Sequence, residues 1–187
     1  MENMRIYGRL GWLMLVLGLV FLGGCAGSAA PAAAPATVPA TIDAPLPPLG
    51  TVLLAGDLKN PGELTVQQLA VMPQQTVEVN FQTGEGPETH TETGVSLSAL
   101  IPPDALATKD GVKNDLLAFG VLAIASDDYA ALVAYGEVSP DFGNKGILLA
   151  TSEDGMALER PRLIVPGDVK GGRYVTDVIE LRVTRIG

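Results

Sequence analysis

Short runs of apolar residues, separated by turn residues, recur from about residue 50 to the C-terminus. The clearest is Thr76–Gln82, where apolar Val77 and Phe81 alternate with polar residues, as in a strand with one buried face. Phe119–Ser126 is almost continuously apolar and predicts a central strand. Further strands are predicted at Thr51–Ala55, Glu88–Thr93, Tyr129–Tyr135, Ile147–Thr151, Leu163–Val165 and Val178–Thr184, with the polar Glu88–Thr93 as an exposed edge strand.

Two short helices are predicted between these strands. Thr65 and Gln68 have the spacing of a capping box, in which each side chain pairs with the other residue's backbone N–H, and Pro73 ends the helix that follows. The second helix, Ser96–Ile101, ends at two prolines. No strand–helix–strand rhythm and no internal repeat are present. The pattern therefore predicts a strand-dominated α+β fold, as a single domain over residues 50–187.

The N-terminal segment has a different pattern, that of a targeting sequence. Met1–Arg9 carries two arginines, and Leu10–Phe21 is an apolar run shorter than the ~20 residues that a membrane-spanning helix needs. It is followed by Leu22-Gly23-Gly24-Cys25, which resembles the lipobox of bacterial lipoproteins. We expect residues 1–24 to be a lipoprotein signal peptide and Cys25 to carry lipid. The alternative is an uncleaved membrane anchor with an incidental cysteine.

Residues 25–49 are rich in alanine and proline and predict a disordered tether between the lipid and the domain. The expected location is the cell envelope, on the periplasmic face in a bacterium with two membranes, with the outer membrane favoured. The formal net charge is −9, which argues against nucleic acid as a partner. Cys25 is the only cysteine, so the domain itself has no disulfide and no thiolate.

Several motifs of the domain occur in the order found in a known family. They are Thr93-Gly94-Val95-Ser96-Leu97, Ser126-Asp127-Asp128-Tyr129, Ile147-Leu148-Leu149-Ala150, Arg162-Leu163-Ile164-Val165-Pro166-Gly167 and Gly172-Arg173-Tyr174-Val175. Together they resemble the oxidoreductase molybdopterin-binding domain family, which has the sulfite-oxidase-type fold. The resemblance covers most of residues 52–184 and implies that fold.

The resemblance also implies a molybdopterin site whose metal is bound by a cysteine thiolate. Phe81 and Gln82 stand where that cysteine is expected, and oxygen-atom transfer of the sulfite-oxidase kind is hard to sustain without the thiolate. We therefore expect a binding or accessory module for an anionic or pterin-like ligand, with no metal site and no catalytic residue. The alternatives are a molybdopterin-dependent oxidoreductase with an altered metal shell and a protein-interaction domain of the envelope.

The candidate ligand site is the glycine-rich segment near the C-terminus, because glycines let backbone N–H groups approach a ligand and arginine donates to phosphates and carboxylates. The resemblance places this segment beside the pterin phosphate. The candidate residues are Arg173, Lys170, Tyr174, Gly171 and Gly172, with Asn144 and Lys145 from a neighbouring loop. Further basic residues lie near this segment in the sequence: Arg160, Arg162, Arg182 and Arg185. Charge balancing on outer strand faces is the alternative for this basic C-terminal region.

His90 is the only histidine and lies among glutamates. It allows a metal site or an acid–base group, but a solvated strand residue is the favoured interpretation. No nucleophile motif, phosphate-binding glycine loop or paired cysteines occur elsewhere.

Overall fold

The computed structural model describes residues 46–186. The predicted signal peptide, Cys25 and most of the predicted tether lie outside this range. Within it, the strands are β1 (Thr51–Gly56), β2 (Gly62–Thr65), β3 (Gln75–Gln82), β4 (Pro87–Ser96), β5 (Phe119–Ala125), β6 (Ala130–Ala134), β7 (Leu148–Glu153), β8 (Met156–Ile164) and β9 (Val178–Arg185). The α-helices are α1 (Val66–Ala70), α2 (Leu97–Leu100) and α3 (Tyr135–Val138), and single 3₁₀ turns lie at Pro103–Ala105, Asp115–Ala118 and Gly171–Arg173. None of these helices has the length and apolarity needed to cross a membrane.

The strands form two sheets, which confirms the strand-dominated prediction. One sheet has the order β2-β1-β9-β5-β6 and the other the order β3-β4-β7-β8. Strands β1 and β9 run parallel, and the other pairs are antiparallel. One apolar core joins the sheets and includes Val121 and Val183 from the first and Leu149 and Leu163 from the second.

A second, smaller apolar cluster covers the other face of the four-stranded sheet. Its members are Val79, Phe81, Leu148, Ala150, Ile164 and Tyr174. Leu148 and Ala150 flank Leu149 of the main core, as the alternation of side chains across a strand requires. This sheet therefore has apolar contacts on both faces.

The local signals in the sequence are confirmed. Thr65 N donates to Gln68 Oε1 at 2.8 Å and Gln68 N donates to Thr65 Oγ1 at 3.2 Å, which completes the capping box before α1. Residues Gln75–Gln82 form a strand whose alternate side chains are buried. At Gly94, a Cβ atom would lie 2.1 Å from the carbonyl oxygen of Leu149, so only glycine lets β4 and β7 approach this closely.

The prediction that Glu88–Thr93 forms an exposed edge strand is wrong. These residues belong to β4, which lies between β3 and β7 inside the sheet. The polar composition is misleading because Glu92 is fully buried, with Arg162 of β8 within 3.6 Å of its carboxylate. Strand β8 also begins well before the predicted Leu163, at Met156.

Candidate functional site

A cleft of about 540 Å3 opens at the end of β3, beside the closing segment, which we define as residues 165–174. We call it the Phe81 cleft. Its wall includes Arg162 and Lys170, the polar Gln82 and Glu88, and the backbone of Gly171 and Gly172. A second cleft of about 290 Å3 adjoins it along β3 and residues 167–169. Small-molecule sites in proteins commonly measure ~300–1,000 Å3, so the Phe81 cleft has the size of such a site.

Phe81 and Arg162 form the floor of the cleft, and Tyr174 packs behind them. The rings of Phe81 and Tyr174 are stacked, with centroids 4.4 Å apart and planes at 24°. The guanidinium carbon of Arg162 lies 5.9 Å from each ring centroid, within the range of cation–π attraction. A Cβ on Gly171 would lie 2.9 Å from the Phe81 ring, so the absence of a side chain lets the closing segment pack onto the floor.

A buried carboxyl group lies behind this floor. Glu92 has no exposed surface, and its Oε1 lies 3.6 Å from Arg162 Nη1, too far for a hydrogen bond. Arg162 Nη1 also forms a close ion pair with Glu153. Burial and the neighbouring Glu153 carboxylate raise the pKa of Glu92 to about 7, against the lowering influence of Arg162 and His90. Glu92 is therefore protonated in a large fraction of molecules near neutral pH.

Several polar atoms of this cluster lack a hydrogen-bond partner among the described residues. They are both carboxylate oxygens of Glu92, Nε of Arg162 and the hydroxyl of Tyr174. Burying a polar group without a partner costs ~1–3 kcal/mol, and such groups are uncommon in native proteins. Their concentration beside a cleft marks this region as a candidate site.

His90 is held by carboxylates and is not freely solvated. Its Nδ1 lies 2.9 Å from Asp154 Oδ2 and its Nε2 lies 3.4 Å from Glu88 Oε2. The hydrogen bond with Asp154 is the main cause that raises the pKa of His90, and burial opposes it. Within residues 46–186, no group of three histidine, cysteine or acidic side chains has the arrangement of a metal site.

Arg173, the principal candidate from the sequence, is occupied by ion pairs. Its Nε and Nη2 donate to the two oxygens of Asp168 at 2.8 and 2.6 Å, and its Nη1 donates to Glu137 Oε2 at 3.1 Å. Lys145 Nζ donates to the same Glu137 at 2.8 Å. The structure thus brings Arg173 and Lys145 together through a shared carboxylate, and neither lines the Phe81 cleft. This ion-pair network ties the closing segment to α3.

The other candidate residues divide between the cleft and the surface. Lys170, Gly171 and Gly172 line the cleft, whereas Tyr174 lies behind it, with its ring stacked on Phe81. The hydroxyl of Tyr129 donates to the Gly172 carbonyl and so anchors the 3₁₀ turn. Asn144 is exposed in a left-handed turn, with φ of 41°, and does not line the cleft.

The remaining basic residues near the C-terminus serve other contacts. Arg182 pairs with Glu180 and Arg185 pairs with Asp115, while Arg160 donates to the Pro47 carbonyl. Arg182 and Arg185 therefore fit the alternative prediction, in which basic residues balance acidic charge on the protein surface. Arg162 lines the cleft, although the sequence did not predict it as a site residue.

The side chains at the expected thiolate position do not fit a thiolate-bound metal. Phe81 is 3% exposed and packed between Tyr174 and Gly171. Gln82 is exposed, and its backbone N–H donates to the Val169 carbonyl at 2.9 Å. Neither residue offers sulfur, and no chemistry at molybdenum follows from this site.

No family model and no curated protein sequence matches the chain. Among solved structures, the chain is similar to the crystal structure of the sulfane dehydrogenase SoxCD from Paracoccus pantotrophus, with a TM-score of 0.56 and 21% sequence identity. The similarity covers 72% of this chain and 38% of that chain, so this chain spans about two fifths of its length. At this identity the likeness concerns the fold alone, and it supports the sulfite-oxidase-like fold that the sequence motifs predict.

Proposed function

We propose that this protein is a binding or accessory module that takes a small anionic or pterin-like ligand in the Phe81 cleft, without redox chemistry at molybdenum. The observation that carries the proposal is a cleft of about 540 Å3 with two cationic side chains, Arg162 and Lys170, in its wall. The likeness of fold to part of a sulfane dehydrogenase gives a coarse link to oxidoreductases. The resemblance of the sequence motifs to the molybdopterin-binding family favours a pterin-like ligand within the anionic class.

The cleft offers the donors that an anion requires. Lys170 is exposed and has no ion-pair partner among the described residues, so its ammonium group is available to a ligand. A Cβ on Gly172 would meet nothing within 4 Å, so a ligand approaches the backbone here without obstruction. Arg162 also lines the cleft and offers N–H donors to a ligand, while its positive charge is balanced by the ion pair with Glu153.

Isothermal titration calorimetry with inorganic phosphate and with a pterin phosphate tests this function. Lys170→Ala should weaken binding by about 1.5–3 kcal/mol, the range for a hydrogen bond to a charged group. Lys59→Ala is the matched control, because Lys59 is also an exposed lysine but does not line the cleft. Absence of binding, or an equal loss in both variants, would reject the anion site and favour a protein-interaction domain of the envelope.

The metal part of the proposal has its own test. Protein purified from a host that makes molybdopterin should contain no stoichiometric molybdenum, because Phe81 and Gln82 supply no sulfur ligand. Elemental analysis that found one molybdenum per chain would replace this function by the alternative, a molybdopterin-dependent oxidoreductase with an altered metal shell.

Attachment to the cell envelope through lipid on Cys25 completes the proposal, with the domain on the periplasmic face and the outer membrane favoured. It rests on the lipobox-like Leu22-Gly23-Gly24-Cys25 after a short apolar run. Two or more acyl chains would give stable anchoring where one chain is marginal. Labelling with palmitate should be abolished by Cys25→Ser. Labelling that persists, or a mature N-terminus elsewhere, would refute the lipid anchor.

A further inference from the structure

The side chain of Arg162 connects the wall of the Phe81 cleft to the buried carboxyl group of Glu92. Arg162 lines the cleft, and its Nη1 atom lies 3.6 Å from Glu92 Oε1. Glu92 is fully buried, and as a carboxylate neither of its oxygens has a hydrogen-bond donor among the described residues, whereas the protonated carboxyl group can donate to Glu153. The Nε atom of Arg162 is buried and unpartnered as well. A ligand that contacts Arg162 therefore acts directly on the electrostatic environment of Glu92.

The groups that face Glu92 come from its own strand, the neighbouring strands and the closing segment, and only some of them are charged. Glu153 from β7 and Arg162 from β8 form an ion pair beside it. His90 lies on the same strand as Glu92, β4, and its ring contacts the carboxylates of Glu88 and Asp154. Strand β3 presents the apolar Val77 opposite Glu92, and the closing segment contributes the hydroxyl of Tyr174.

Charge balance decides whether this floor accepts an anion. The positive charge of Arg162 is already matched by the negative charge of Glu153. If Glu92 is ionised as well, the group beneath the cleft is net negative and repels an anion. If Glu92 carries a proton, the group is neutral, and the attraction of Lys170 at the wall is not opposed from below.

We propose that the Phe81 cleft binds its anion together with a proton, and that Glu92 holds this proton. The inference rests on the proposed anion site and adds its regulation by pH. As the anion enters, a proton from the solvent forms an O–H bond with a Glu92 carboxylate oxygen, and the proton's former carrier, water or buffer, keeps the electron pair. No electron is transferred and no other bond changes.

The raised pKa of Glu92, about 7, agrees with this coupling. A negative ligand beside Arg162 raises the pKa further, because it opposes ionisation of a nearby carboxyl group. By thermodynamic reciprocity, protonation of Glu92 then increases the affinity for the anion. Affinity should be constant at low pH and should fall by up to about tenfold per pH unit above the pKa of the free protein.

The test is isothermal titration calorimetry of sulfate binding to the whole protein from about pH 5.5 to about pH 8.5, a range over which one coupled proton changes affinity by up to about thirtyfold. Sulfate is the probe because its own charge is constant across this range. At neutral pH, repetition in buffers of different ionisation enthalpy measures the protons taken up with each anion. This second readout needs no variant.

Three substitutions assign the proton. In Glu92→Gln, sulfate affinity should be high and nearly independent of pH, because the amide mimics the protonated carboxyl group. Glu78→Gln is the matched control, since Glu78 is an exposed glutamate on the neighbouring strand β3. His90→Gln removes the other group that titrates nearby. Glu78→Gln should keep the pH dependence of the unsubstituted protein. His90→Gln should keep a pH dependence but move it to higher pH, because His90 lowers the pKa of Glu92.

The outcomes separate the two proposals. Absence of sulfate binding at any pH rejects the anion site, and the proton coupling falls with it. Binding that is independent of pH, or that takes up no proton, leaves the anion site in place and overturns the coupling. A pH dependence that persists in Glu92→Gln, or that disappears in His90→Gln, overturns the assignment to Glu92.

Discussion

The stability of the protein should depend on pH through Glu92, even without ligand. In the folded protein the pKa of Glu92 is about 7, against an ordinary value of 4.5. Between these two pH values the folded state binds more protons than the unfolded state, so the free energy of unfolding falls as the pH rises. Because each pKa unit is worth about 1.4 kcal/mol, the full difference is about 3 kcal/mol. The loss should be complete somewhat above pH 7.

Glu92→Gln removes this titration and keeps the shape of the side chain. Below about pH 4.5, the variant and the unsubstituted protein should be similar in stability, apart from a constant offset for the amide. At about pH 8 the variant should gain about 3 kcal/mol relative to that offset, because the glutamine has no proton to lose. Measuring both proteins at several pH values separates the effect of Glu92 ionisation from this offset, because the offset does not change with pH.

Urea denaturation at a series of pH values measures this gain. The midpoint of the unsubstituted protein should fall between about pH 5 and about pH 8, and that of Glu92→Gln should fall less. Glu78→Gln is the control, because Glu78 is exposed on β3 and its substitution leaves Glu92 in place. Equal pH dependence in the unsubstituted protein and in Glu92→Gln would refute the reasoning, since Glu92 would then have the same pKa in the folded and the unfolded state.

Three further substitutions, with Lys145→Ala as a comparison for one of them, test other parts of the structure. Gly94→Ala should lower the free energy of unfolding by about 1–3 kcal/mol or more, because the added methyl group meets the backbone of β7; an unchanged urea midpoint would contradict this close approach. Arg173→Ala should cost about 1–3 kcal/mol, because Asp168 loses its ion-pair partner and Glu137 keeps only Lys145, and Lys145→Ala, which removes one exposed ion pair, should cost less; a loss of sulfate affinity without loss of stability would contradict a structural role for Arg173. His90→Gln should destabilise the protein at about pH 5.5 but not at about pH 8.5, because the pKa of His90 is raised by Asp154 and its ion pairs disappear as the pH rises through that pKa; a urea midpoint change that is the same at both pH values would contradict this.

The strands and helix caps were predictable because their causes are local. Alternation in β3 and the side chains of Thr65 and Gln68 depend on residues only a few positions apart. The position of β4 was not predictable in this way. Its Thr and Glu residues have the composition of an exposed strand, and only pairing with β3 and β7 shows that Glu92 is covered.

The same limit applies to the candidate site. The sequence shows that Lys170, Gly171 and Gly172 are adjacent, and the structure places all three at the cleft. The sequence does not show that Arg173 pairs with Glu137, which lies 36 positions earlier in the chain. Arg162 belongs to the basic C-terminal region in which charge balancing was the alternative, and only the packing of β8 against Phe81 distinguishes it from Arg182.

The two charged networks around the Phe81 cleft have different physical properties, and this difference suggests separate roles. In the first, Arg173 and Lys145 share Glu137, and four direct hydrogen bonds hold the Arg173 guanidinium group. Burial raises the pKa of Glu137, but its hydrogen bonds from Lys145, the backbone N–H of Ala134 and Arg173 outweigh burial and lower it, so this network stays ionised near neutral pH.

The second network, around Glu92, contains unpartnered polar atoms and a carboxyl group that titrates near neutral pH. A satisfied network resists change, whereas an unsatisfied one gains free energy from any partner that a ligand or a proton provides. Removal of Arg173 should therefore change stability and leave the pH dependence of anion binding intact. Removal of the Glu92 carboxylate should abolish that pH dependence while the closing segment, still tied to α3 by Arg173, keeps its place.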